Sequence, residues 1–174
     1  MIMKSHNIKF QVDKLYNKIL ILSRYNYLYT NLDVKDTFQN RISLIFLHIS
    51  FLFNKIKSPN KSEFYQDFYQ KMFDHIFKKI EINMREIGYG DLSVNKNMKF
   101  LSKIFYDILL NCENYKFMNF ENKMNFLSKH LDTNNKENYK KNVGLIDYFD
   151  KYQAFCLDLS SDKVLKGDLN FSYK

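Results

Sequence analysis

Cysteine and proline are almost absent from this sequence, glycine is scarce, arginine is rarer still, and no long apolar run occurs. The two cysteines, Cys112 and Cys156, form no C-x-x-C pair, which argues against a disulfide framework and a structural zinc site and points to a reducing compartment. The most hydrophobic run, Leu44 to Phe53, is interrupted by His48 and Ser50 and is about half the ~20 residues a bilayer crossing requires. No transmembrane segment is expected. Met1 to Asn7 lacks the apolar core and small-residue cleavage site of a secretory signal, so export is not expected either. No stretch alternates with period two for long enough to make a strand.

Catalytic constellations are missing too. The histidines, His6, His48, His75 and His130, are scattered over separate segments, and the residue three before His75 is Met72, not the glutamate of a di-iron pair. Gly88-Tyr89-Gly90 does not continue into a dinucleotide loop: Ser93 stands at the third glycine position, and the segment follows a helical pattern rather than a strand. His48 lies among Leu47, Ile49 and Phe51, the setting of a hydrogen-bonded core histidine. The reading is of a non-enzyme with no cofactor and no metal.

What is present is apolar and basic. A hydrophobic content of 45%, with 17% aromatics, is ample for one buried core, and residues 1–174 read as a single domain. The formal charge of +8 and pI near 9.3 suggest a polyanionic partner. Lysine supplies nearly all of that charge, since Arg24, Arg41 and Arg85 are the only arginines, and heavy use of Asn, Ile, Phe and Tyr is the mark of an A+T-rich coding bias. The alternative raised by charge alone is a basic helical module binding nucleic acid or the ribosome. No specific nucleic-acid site is expected, because basic and aromatic residues are not interleaved on a sheet or groove.

Apolar spacing predicts an all-α domain of about six helices. The first covers about 7–24, with Ile8, Val12, Leu15, Ile19 and Leu22 on one face, and a loop rich in Tyr and Asn runs on to Lys35. Asp36 is the expected N-cap of a second helix reaching about Lys57, with Gln39 reaching back, and its apolar stripe is wide enough to be nearly surrounded. Ser58-Pro59-Asn60-Lys61 is a break. Ser62 caps a third helix whose stripe Phe64, Phe68, Met72, Phe73, Ile76, Ile80 and Ile87 ends at Gly88, placed for a left-handed stop. Asp91 or Ser93 starts the fourth, with Met98, Leu101, Phe105, Ile108, Leu109, Cys112 and Tyr115 inward and Lys96, Lys99 and Lys103 outward. A fifth covers about 120–131; Asn134 with Glu137 caps a sixth, lined by Leu145, Phe149, Tyr152, Cys156 and Leu159 and interrupted by Gly144, and the tail after Gly167 reads as extended. Helices two, three and four are expected to form the core.

Two segments stand out. One is Val34-Lys35-Asp36-Thr37-Phe38-Gln39-Asn40-Arg41; the other is the corner Met84-Arg85-Glu86-Ile87-Gly88-Tyr89-Gly90-Asp91-Leu92-Ser93-Val94-Asn95-Lys96, which holds two of the four glycines. In order and spacing they resemble the "V-x-D-T-x-x-x-R" and "L-R-E-M-G-V-G-D-L-x-V-x-K" segments of the ubiquinol-cytochrome c chaperone family, over roughly residues 25–170. Phe105-Tyr106 matches half of that family's "F-Y-G-R" element, with Asp107 and Ile108 in place of its glycine and arginine. The resemblance implies an assembly chaperone for the cytochrome bc1 complex, respiratory complex III, that meets nascent cytochrome b or another bc1 subunit. It also implies a small helper protein and the ribosome as partners, and a location in the bacterial cytoplasm or, in a eukaryote, on the mitochondrial matrix side, peripheral to the inner membrane. Candidate partner-binding residues are Arg85, Glu86, Gly88, Gly90, Asp91 and Lys96 of the corner, with Asp36 and Arg41 of the first segment.

Overall fold

A computed structural model describes residues 2–56, 63–134 and 138–173, with side chains from Ile8 in the first helix and Phe64 in the fourth. The break at Ser58 to Lys61, the cap at Ser62, the side chain of His6 and Glu137 lie outside the described residues. The chain is all-α. Six longer helices are α1 (Ile2–Ser23), α3 (Phe38–Ile56), α4 (Glu63–Glu86), α5 (Asp91–Asn114), α6 (Phe120–His130) and α7 (Tyr139–Asp158). Two five-residue helices are α2 (Asn26–Thr30), inside the expected loop, and α8 (Ser161–Leu165), between the sixth expected helix and the tail after Gly167, which carries no helix over residues 168–173. Among the described residues there is no strand, only one bridge between Val34 and Thr133.

The wide apolar stripe of α3 places it in the middle. Every residue from Ile42 to Phe53 is buried, so α3 must be covered on all sides. Its most extensive contacts are with α5 and then α1, followed by α7, while α4 touches it less. α3, α4 and α5 all contribute to the core, as expected, but α1 and α7 join them, covering faces of α3 that two neighbours leave open. In α1 the buried side chains are Ile8, Val12, Leu15, Tyr16 and Ile19.

Aromatic contacts set the helix directions. The Phe46 ring lies 5.6 Å from Phe77 and 5.2 Å from Phe105, whereas one or two turns on Phe53 meets Tyr69 at 4.2 Å and Phe51 meets Tyr115 at 5.2 Å. Advancing along α3 thus means moving back along α4 and forward along α5. Each fully buried phenylalanine here contributes about 1.5–3 kcal/mol of transfer free energy, which is why the rings dictate the register. One consequence is functional: the start of α3 and the α4–α5 corner, which carry the two outstanding segments, lie at the same end of the bundle.

His48 is wholly buried, as its neighbours in sequence suggest. Its Nδ1 is 2.6 Å from the Leu44 carbonyl, its Nε2 is 2.8 Å from the Tyr148 hydroxyl, and the Tyr152 hydroxyl donates to the His48 carbonyl at 3.1 Å. A carbonyl only accepts, so Nδ1 carries the hydrogen and Nε2 accepts from Tyr148. This polar thread pins α7 to α3 inside an apolar core.

Candidate functional site

The corner is built from backbone first. At the end of α4 the Gly88 amide donates to the Arg85 carbonyl and the Tyr89 amide to the Met84 carbonyl, both at 3.0 Å. These two bonds close a helix only if the residue at position 88 turns left-handed, and Gly88 has φ +95°. Gly90, at φ −74° and ψ 161°, is the N-cap of α5, and the Val94 amide donates to its carbonyl at 2.9 Å. Asp91 starts α5, as expected, and sits in its first turn; the cap position belongs to Gly90, and no side chain caps the helix. Met84 and Val94 are the buried anchors of the corner.

Charge then ties the two helices together. Arg85 donates to Glu81 through Nε at 3.2 Å and through a terminal nitrogen at 2.9 Å, and its other terminal nitrogen pairs with Asp91. Hydrogen bonds to Asp91, and next to Glu81, hold the guanidinium above its ordinary pKa. Arg85 and Asp91 therefore have a structural use in the corner. Glu86 and Lys96 are exposed and make no ion pair among the described residues.

Beside these charges stands apolar surface. Ile87 has the phase to continue the inward stripe of α4, but it is 58% exposed; Leu92 is 88% exposed and Tyr89 is 40% exposed. α4 ends at Glu86 with Met84 of its last turn still buried, and Ile87 follows in the turn at Gly88, so the residue that periodicity points inward meets solvent. This exposed trio is not readable from spacing, because spacing says which face a residue occupies and not whether another helix is there to cover it.

At the start of α3, Arg41 grips Asp36 with two bonds, Nε to Oδ1 at 2.6 Å and a terminal nitrogen to Oδ2 at 2.8 Å. The arginine bonds hold the Asp36 carboxyl below its usual range. Asp36 is thus not the N-cap. Thr37 is: its hydroxyl accepts from the Asn40 amide at 3.2 Å. Asn40, which no sequence signal singles out, is 2% exposed and clasps a distant loop, donating to the carbonyls of Lys35 and Asp132 at 2.8 and 2.7 Å and accepting from the Asp132 amide at 2.9 Å. The sequence-derived candidates thus fall into two groups at one end of the bundle, each holding an ion pair, Arg41–Asp36 in one and Arg85–Asp91 in the other, with no described contact between them.

The remaining polar groups are structural in their surroundings. Asp107 accepts from Lys129 at 2.7 Å and lies 2.9 Å from His130 Nε2, which brings α5 and α6 together; the Lys129 bond holds its carboxyl low. Asn138, not Asn134, caps α7, accepting from the Lys141 amide at 3.3 Å, while Asn134 turns to Asp33. Cys112 and Cys156 are free and buried, and burial pushes both thiols up, Cys156 to about 12. Among the described residues no group of His, Cys, Asp and Glu could hold a metal, and no helix is long and apolar enough to cross a membrane. A pocket between α6 and α7 is lined by Met124, Leu127, Leu131, Asn142, Leu145 and their neighbours, none of them a carboxylate, histidine or cysteine.

The family model described as ubiquinol-cytochrome C chaperone matches residues 30–171. No curated protein matches the chain. Among solved structures, the crystal structure of the Cbp3 homolog from Brucella abortus is similar at a TM-score of 0.82 and 22% identity, covering 99% of this chain and 97% of that one. At that identity the likeness speaks for the fold: the helix arrangement described above is that of the Brucella protein.

Proposed function

The chain belongs to the ubiquinol-cytochrome C chaperone family, and from that membership we propose that it assists assembly of the cytochrome bc1 complex by holding newly made cytochrome b before that subunit joins the enzyme. The reading is of a binding surface without catalysis, working peripherally at the membrane that receives the complex. The observation that carries it is the family match over residues 30–171; the longer of the two segments that resemble the family in sequence falls on the α4–α5 corner. There Ile87, Tyr89 and Leu92 are exposed next to Glu86 and Lys96, whose charges the corner does not use internally. Contiguous exposed apolar surface edged by charge is what a domain shows when it meets another protein. Gly88, Gly90, Arg85 and Asp91 serve that surface by shaping it, and Asp36 and Arg41 extend it at the same end of the bundle. The basic nucleic-acid-binding alternative has only net charge behind it, which the coding bias also accounts for.

The test is genetic and biochemical. Cells lacking the gene are complemented with the parent, with Leu92→Ser, and with Glu86→Lys combined with Lys96→Glu, and assembled bc1 complex is measured by its haem spectrum and by native electrophoresis. The parent restores the complex and the variants, equally abundant and equally folded, do not. Normal bc1 complex in the deletion strain removes the chaperone role. Full rescue by both variants moves the client surface elsewhere on the molecule.

A further inference from the structure

The outward face of α5 runs on from the corner, sharing Leu92 and Lys96 with it. At 100° per residue, Leu92, Lys99, Lys103, Tyr106 and Leu110 fall within one narrow arc, with Phe100 at its edge. All are exposed: Leu92 by 88%, Leu110 by 59%, Phe100 by 55% and Tyr106 by 51%. Lys96 joins the arc at the corner end. The single carboxylate near its middle, Asp107, is already engaged by Lys129 at 2.7 Å and His130 at 2.9 Å. Glu86 at the corner end and Glu113 at the far end edge the face, and between them Lys99 and Lys103 stand among Phe100, Tyr106 and Leu110 along a helix of 24 residues.

We propose that this α5 face docks the protein on the headgroup layer of a bilayer containing anionic phospholipid. Three features favour a lipid surface over an acidic protein. First, these side chains lie in one narrow arc of a single helix, an arrangement that can rest along a plane. Second, its cations are lysines, which are depleted at protein–protein interfaces yet suit a lipid surface, where the stem rests on apolar neighbours while the ammonium reaches phosphate. Third, the leucines and aromatics are exposed singly among the lysines, as in helices that lie in the interfacial layer and sink only their apolar tips. The geometry complements the function proposed above, because a chaperone on the membrane surface would stand where a membrane subunit emerges. Docking itself does not depend on the identity of that subunit.

Purified full-length protein is mixed with vesicles of phosphatidylcholine alone or of phosphatidylcholine with phosphatidylglycerol, and the bound fraction is read by sedimentation. Binding is expected to the anionic vesicles, to weaken as salt rises, and to be much weaker to phosphatidylcholine. Lys99→Glu with Lys103→Glu should lower partitioning by about tenfold or more. Phe100→Ser with Leu110→Ser should lower it by a similar factor, and Lys163→Glu with Lys166→Glu, exposed lysines of α8 and its end, by no more than about twofold. Matching thermal melts establish that the variants are folded. No binding to anionic vesicles overturns the proposal, as does a loss on lysine reversal that is equal for the α5 and α8 pairs, or an apolar double variant that binds like the parent. Stable capture of an acidic protein by this face, with no vesicle binding, would assign it to that other partner. The assay contains no bc1 component, so its failure and the failure of the chaperone reading are separate results.

Discussion

Acid should destabilise this protein through a single buried side chain well before its carboxylates titrate. His48 is completely buried, and burial pushes its pKa down to about 4, with the hydrogen bond to the Leu44 carbonyl opposing only in part. In the unfolded chain the ring titrates near 6.5. Above that value it is neutral in both states and its contribution to stability is complete. As the pH falls the unfolded state takes up the proton first, so stability is lost progressively between 6.5 and about 4. Each tenfold difference in proton affinity between the folded and unfolded chain is worth about 1.4 kcal/mol, so the loss accumulates to about 3 kcal/mol, a large part of the ~5–15 kcal/mol that holds a domain together. His75 and His130 are also held below their ordinary pKa by burial, but each faces an aspartate, Asp13 at 3.5 Å and Asp107 at 2.9 Å, that opposes the effect. The measurement is urea unfolding at a series of pH values for the parent and His48→Phe, together with an NMR titration of the imidazoles. The parent should lose stability more steeply than the variant over this window, whatever the variant's baseline, and the His48 resonance should remain that of a neutral ring to near pH 4. A His48 that titrates at 6.5, or equal slopes in the two proteins, would refute the reasoning.

Other outcomes follow from the same structure. Gly88→Ala meets no atom within 4 Å of the new Cβ, so its cost is purely conformational at φ +95°: about 1–2 kcal/mol, or a melting temperature lower by ~2–8 °C. Gly90→Ser, at a φ any residue adopts, should instead stabilise by up to about 1 kcal/mol in the same melt, because it adds the missing cap and restricts the unfolded chain. Asn40→Asp keeps the shape but turns a donor to two carbonyls into a carboxylate, and should cost about 3 kcal/mol or more by urea unfolding; a cost under about 0.5 kcal/mol would dismiss the clasp. Charge reversal at Arg85 should lower the melting temperature, since it places a carboxylate between Glu81 and Asp91, whereas reversal at Lys96 should leave it unchanged; identical melts would deny the corner its ion network.

What depends on neighbours along the chain could be read without a structure. Period-3.6 apolar spacing was enough for the six longer helices, because a helix must bury one stripe whatever it packs against, and the width of the α3 stripe was enough to place that helix inside. Gly88 was legible as a left-handed stop because the apolar pattern ends there and another begins a few residues on. His48 was legible as a core residue from the apolar residues on either side. Tertiary packing decided everything that depends on which parts of the chain come to lie side by side. Asp36 had the chemistry of a cap, but Arg41 takes it and Thr37 caps instead. Ile87 had the phase of a core residue, but it stands just past the end of α4 and meets solvent, and a residue's phase carries no information about whether another helix reaches it. Asn40 gained its role only when Asp132, 92 positions away, was brought against it. The lysines of α5 read as an ordinary solvated face until the exposure of Leu92, Tyr106 and Leu110 showed apolar groups standing among them, uncovered, because α3 occupies the opposite side of that helix.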